Sequence, residues 1–293
     1  MSLRLWLALA WVTLVWGSGW LAIKLSLTAF SPLFLAGSRH VLTVVLMLLI
    51  ARAAGAELPR GRREWGTLLG AGVLMAGLCP GLVFVGQVSV PSGLASLLFA
   101  AMPLFTLVLA DRFLPGEPLT RGRLVGILVG LAGVAVVSGA GVVAGGFDPV
   151  GAGAILLGAV VFATGLVWMK RSGARFHPFV VVAVQSAAGA VALLPLGLAI
   201  EPEPIRAWGI EAVAMYAYLT LVQSCLTQAV YFWLVKRVDA LRIAYISCVV
   251  PAIAVAAGAM FLAEPIGPTL VLGGAAIVAG LFLVNRPTRA APA

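Results

Sequence analysis

Arg39 and His40 sit together in "SPLFLAGSRH" (31–40), inside a long apolar run. A charge in such a place is costly, and by default marks a functional residue. Arg39 can attract a carboxylate, hold backbone carbonyls in place, or reach back toward the nearer interface. His40 lies about 100° further round a helix; it reads as a packed neutral ring, with a proton relay as the alternative. In "WGSGWLAIK" (16–24), Trp16, Trp20 and Lys24 recur every four residues, so one helix face carries all three. Indole rings there can hold the apolar part of a solute. They can also mark an interfacial belt, with Gly17 and Gly19 as packing contacts. Gln223, Thr227 and Tyr231 repeat the same step, with Ser224 and Gln228 alongside. This polar face suits a neutral hydrogen-bonding group, and it equally suits bonds to a neighbouring helix.

Two prolines add backbone chemistry. Pro103 and Pro251 fall mid-run, and each removes the hydrogen bond to the carbonyl four residues back, that of Phe99 or Ser247. Acyl chains cannot satisfy that oxygen, whereas water or a solute can. Kinking for packing alone is the plainer alternative. Pro80, beside Gly81, has no proline at the matching place later in the chain. Gln87, Thr164, Trp168, Tyr245, Phe99 and Ser247 are further lining candidates, and Gln185 reads as packing. All ten Asp and Glu fall between the runs or at their ends, which speaks against a cation pump built on a deep carboxylate. Cys79, Cys225 and Cys248 lack metal-ligand spacing, and the two histidines are His40 and His177. No metal and no other cofactor is expected. "GSG" (17–19) misses the G-x-S-G nucleophile pattern, because Trp16 stands two before Ser18. No HExxH is present either, so no catalytic residues and no enzyme activity are expected.

These groups need helices to hold them. Hydrophobic residues make up 62% of the 293, and charged residues 10%. A soluble domain carries about 25% charged residues and could not enclose so much apolar surface. Apolar runs of roughly 20 residues fall near 5–23, 32–52, 66–86, 94–112, 122–142, 150–170, 179–199, 212–235, 242–262 and 267–285. The expected fold class is an all-α integral membrane protein whose ten transmembrane helices meet the lipid bilayer. The first run is longer than a signal's apolar core and lacks a small-x-small cleavage site, so it is expected to be retained. The net charge is +9, yet its distribution argues against nucleic acid. Lys24 and Arg206 fall on one side of the spans and Arg39 within them; every other Lys and Arg falls on the opposite side. The positive-inside rule puts that richer side, and both termini, in the cytoplasm of a multi-pass cell-membrane protein.

The two halves of the chain resemble each other. Pro103 aligns with Pro251, and Glu117 with Glu264. Gly126 and Gly133 align with Gly273 and Gly280, and Gly19 and Lys24 with Gly165 and Lys170, all at nearly one offset. Residues 1–143 and 147–289 therefore read as two five-helix repeats. Five is odd, so the second repeat enters the membrane inverted, as in many transporters. Gly126 and Gly130 form a GxxxG pair, and with Gly273 and Gly280 they read as packing surfaces. The same faces leave room for a homodimer through the fifth and tenth spans.

The chain resembles the EamA-type family of the drug/metabolite transporter superfamily over almost its whole length. The resemblance rests on "WGSGWLAIK" (16–24), "SPLFLAGSRH" (31–40), "SGLASLLFAAMPLFTLVLADRFLPGEPLTRGRLVGILVGLAGV" (92–134) and a weaker second copy. "GQVSVPSG" (86–93) departs from the family's usual aromatic and alanine residues there. The resemblance implies ten helices as two inverted EamA-like repeats. It also implies a central cavity walled mainly by spans 1, 3, 4, 6, 8 and 9, and movement of small metabolites, commonly outward. Arg39, the tryptophans and the polar face of the eighth span suit a charged headgroup joined to an apolar body. The expected function is secondary transport, as export of amino acids or similar zwitterions by alternating access around a midplane cavity. Transport of another metabolite or a neutral toxic compound is the alternative.

Overall fold

The computed structural model describes residues 2–115, 119–143, 148–172, 176–235, 237–238 and 240–284; side chains at 139–143, 232, 235 and 240–245 are outside the described set. Tyr245, Arg175, Glu117, Lys236, Asp239, Arg242, Arg286 and Arg289 therefore lie outside the described side chains. Every expected span is a helix. They are α1 (Leu3–Ser26), α2 (Pro32–Ala53), α3 (Arg62–Ser89), α4 (Ser92–Phe113) and α5 (Arg121–Val143). Then follow α6 (Pro149–Arg171), α7 (Pro178–Ile200), α8 (210–235), α9 (Ala240–Leu262) and α10 (Pro268–Val284). Among the described residues, eight helices are long and apolar enough to cross a membrane, and shorter apolar stretches lie in α9 and α10. The chain is a multi-pass membrane protein.

Local sequence explains where several helices start. Pro32, Pro149, Pro178 and Pro268 open α2, α6, α7 and α10, at the position where a missing N–H costs nothing. Asp148 caps α6 by accepting from the N–H groups of Val150 and Gly151.

Because the helices are apolar on most faces, small residues decide how they pack. α5 and α10 lie backbone to backbone. A Cβ at Gly126 would stand 2.8 Å from the Gly280 oxygen, and one at Gly133 would stand 2.6 Å from the Gly273 oxygen. α2 and α7 pair the same way, through Gly37 against Leu194 and Gly197 against Phe34. The expected homodimer face loses its glycines here. Gly126, Gly133, Gly273 and Gly280 are spent within one chain, and Gly130 faces Leu104.

Three helices depart from α geometry. α3 passes through a π-helical stretch, Val73–Leu78, just before Pro80 removes an amide. α8 runs as Ile210–Ala217, a π stretch Tyr218–Leu226, then Thr227–Val235. α4 is interrupted after Phe99 and resumes at Met102. α9, by contrast, continues through Pro251. The matched prolines thus have unequal effects: Pro103 restarts a helix and Pro251 is absorbed by one.

One end of the bundle is tied together by links between spans. Ser31 donates from its backbone N–H to Pro204 O (3.0 Å) and from its hydroxyl to Glu203 O (2.6 Å). The Arg206 N–H donates to Ala29 O (2.7 Å). Glu201, at the end of α7, accepts from the first free amides of α2, Leu33 (2.8 Å) and Phe34 (2.9 Å). The opposite end carries most of the described arginines.

Candidate functional site

Aromatic rings from several helices make contact between the spans. Trp20 on α1 contacts Phe99 on α4, centroids 5.5 Å apart, and Phe99 contacts Phe162 on α6 at 6.1 Å. Trp16, one turn earlier on α1, meets Tyr231 on α8 at 4.9 Å. All five rings keep accessible surface, although rings from other helices surround them. Phe99 ends the first segment of α4, and Pro103 offers no amide to its carbonyl.

Arg39 projects from α2 over the Phe84 ring of α3, 4.8 Å from the centroid. Such a contact contributes about 0.5–2 kcal/mol but does not neutralise the charge. The Nε atom is buried without a hydrogen-bond partner, and no described carboxylate comes within ion-pair distance. Cys79 and Tyr216 lie within electrostatic reach. His40 is buried beside it, and neither ring nitrogen makes a hydrogen bond of good geometry among the described residues.

The polar face expected on α8 divides. Thr227 is fully buried and accepts a hydrogen bond from Trp11 Nε1 (3.1 Å). It is a joint between α1 and α8, not an exposed lining group. The Ser224 hydroxyl bonds back to Leu219 O (2.9 Å). Gln223 packs against Gly19, where a side chain would collide with it, and its Oε1 is buried without a partner. Gln228 and Tyr231 remain part-exposed. The π stretch explains the split. Bonding five residues back adds a residue to the turn, which shifts Gln223 and Ser224 against the regular segment that carries Thr227 and Tyr231. Pro251 is buried, and Ser247 is part-exposed one turn before it.

Trp168 does not join the aromatic group. Its ring lies against Gly70 of α3 and is 44% exposed. Phe162 takes the inner place, since six residues turn a helix by about 120° from one to the other. The repeat pattern held the signal for Phe162, which stands where Trp16 stands in the first half. Thr164 is exposed and bonds to Val160 O (2.9 Å). Gln87 is fully buried and donates to Trp20 O (2.6 Å), which ties α3 to α1. Ser18 and Tyr218 share a hydrogen bond of 2.6 Å between α1 and α8. Sequence reasoning missed Phe84, Tyr218 and the contacts of Lys24, because each depends on a partner from a distant span.

The EamA-like transporter family model matches residues 4–139 and again 149–286. Among curated proteins, the uncharacterized transporter YvbV of Bacillus subtilis (strain 168) is 31% identical, over 97% of this chain and 92% of its own length. A protein of Streptantibioticus cattleyicolor, named a probable terminal-alkyne amino-acid exporter, is 31% identical over 98% of this chain and 95% of its own length. The uncharacterized inner membrane transporter YedA of Escherichia coli (strain K12) is 29% identical, over 93% and 87%. These relatives are transporters, not enzymes. One crystal structure superposes with a TM-score of 0.65 at 22% identity, covering 95% of this chain and 96% of the other, which bears on the fold alone. A family match across both halves and relatives of near-equal length lead to one conclusion: the chain belongs to the EamA-like transporter family.

Proposed function

We propose that the protein is a secondary transporter exporting amino acids or similar zwitterions by alternating access between two inverted repeats, residues 1–143 and 147–289. One observation carries this reading: the guanidinium of Arg39, unneutralised by any described carboxylate, stands in a bundle where part-exposed rings of α1, α4 and α6 meet. A carboxylate would supply the missing counter-charge in a low-dielectric setting, where paired charges interact strongly. Trp16, Trp20, Phe99, Phe162 and Tyr231 would hold the apolar body. Gln228, Ser247 and the carbonyls freed by Pro103 and Pro251 would offer neutral polar contacts. Tyr245 belongs to the same proposal by its place in the sequence.

Several features support the two-repeat arrangement. The family model matches twice. The glycine seams join the second helix to the seventh and the fifth to the tenth, each at equal rank in its half. π stretches occur in the third and eighth helices. The arginine distribution supports cytoplasmic termini, and one relative is named as an amino-acid exporter.

The test is counterflow in proteoliposomes with a panel of labelled amino acids, with and without a pH gradient. Saturable uptake of at least one amino acid is expected; no uptake of any would overturn the substrate class. Arg39→Gln should reduce that uptake by about tenfold or more, as expected for losing a buried charged contact. A neutral analogue with its carboxylate amidated should be far less affected.

A further inference from the structure

The turn joining α3 to α4 is gripped from both sides by opposite charges. The Lys24 ammonium, from α1, donates to the carbonyls of Gln87 (2.8 Å), Val88 (2.9 Å) and Val90 (3.1 Å). Helix C-terminal oxygens lack helical partners, and Pro91 has no amide to offer Gln87. Across the turn, the Glu264 carboxylate, just past α9, takes the first amides of α4. It accepts from Ser92 N (2.6 Å), Gly93 N (3.0 Å) and the Ser92 hydroxyl (3.1 Å). A cation at a helix C-terminus and an anion at an N-terminus each match the local dipole, and charge-assisted bonds are strong.

The surroundings are shaped for this grip. Gly258 leaves the space that the carboxylate and Ser92 occupy. Ala263 adopts a positive φ of 51°, which turns the chain after α9, and the Glu264 N–H bonds back to Gly258 O (3.2 Å). The charged groups stand on or beside α1 and α9, which pack on each other through Gly17 and Ile253. What they hold is the α3–α4 hairpin. The burial changes at the interruption of α4: Ser92–Leu98 is buried throughout, whereas between Met102 and Phe113 the buried residues are Leu104 and Ala110.

We infer that Lys24 and Glu264 form a charge clamp that closes this end of the solute path by holding both helix ends of the α3–α4 hairpin, and that its release opens the end. The inference rests on the transporter reading, in that it needs a path with two ends. It does not depend on which solute moves.

The test is a distance measurement between nitroxide labels at Val88 and Ile266, in purified protein without native cysteines, in lipid nanodiscs. Both positions are surface-exposed. Wild type should give one dominant short distance. Glu264→Gln and Lys24→Met should each raise the population of a longer distance about tenfold. The double exchange Lys24→Glu with Glu264→Lys keeps the mutual attraction but gives each helix end the wrong sign, so it should open as far as the single variants. Restoration by the double exchange would mean that a simple ion pair holds the end and would overturn the clamp. So would an unchanged distribution in either single variant that elutes as a monodisperse folded species. Should Glu264→Gln not fold, Lys24→Met and Ser92→Ala give the same readout. Because no solute is transported in this experiment, a null result in counterflow leaves its outcome intact.

Discussion

The two segments of α4 are both apolar, yet they end in different surroundings. Ser92–Phe99 has no accessible face until Phe99, whereas Met102–Phe113 is part-exposed along most of its length. Hydrophobicity does not explain the difference, because lipid is as apolar as a protein core. Partners do. The first segment sets Gly93 against the backbone of Val255 on α9 and has Glu264 on its amides. The second leans on α6, through Ala110, Leu114 and Val167. In a membrane bundle, close backbone contact and polar ties therefore select which segments are buried, and apolar character alone does not.

Substitutions can break this comparison. The largest effect is expected from Gly93→Leu, because any Cβ there meets Val255 Cα at 2.9 Å. Overpacking against backbone should cost about 3 kcal/mol, whereas Val108→Ala in the second segment, 45% exposed, should cost less than about 1 kcal/mol. Thermal unfolding in detergent compares the two, and equal losses would remove the contrast. A middle-sized effect is expected from Lys170→Ala. The repeat sets Lys170 at the place of Lys24, so its loss should favour closure of the tied end, by about threefold in the distance populations. A shift in the same direction as Lys24→Met would count against the inverted arrangement. The smallest effect is Trp11→Phe, which removes the bond to Thr227 and should cost about 1 kcal/mol. If Thr227 is a joint and not a lining residue, Trp11→Phe and Thr227→Ala should be non-additive in stability and leave amino-acid selectivity unchanged.

Much of the helical order was legible in the sequence. Apolar runs and proline starts locate all ten spans, because crossing lipid demands long unbroken helices. Trp16 and Trp20 lie four residues apart on α1, which is regular over that stretch, though they meet different rings, Tyr231 and Phe99. What failed was reading a regular helix through an irregular one. The four-residue step on α8 assumed α geometry, and the π stretch Tyr218–Leu226 removes it between Gln223 and Thr227 while Thr227 and Tyr231 keep it. Pro103 and Pro251 looked equivalent, but one interrupts its helix and the other does not. Trp168 matched in residue type but faces Gly70, while Phe162 holds the position the repeat marks. Lys24 and Glu264 were visible as repeat-matched charges, yet their joint hold on one turn exists only once four spans are folded together.

The account's central claim, a solute path shut where the α3–α4 hairpin is held, is tested most directly by cysteine labelling. Single cysteines would replace Ser96, in the buried segment of α4, and Leu109, in the part-exposed one. An impermeant maleimide would then be applied from the arginine-rich side of oriented vesicles. Labelling of Leu109→Cys about tenfold or more faster than Ser96→Cys is the predicted result. Equal rates at the two positions, or faster labelling of Ser96→Cys, would contradict it.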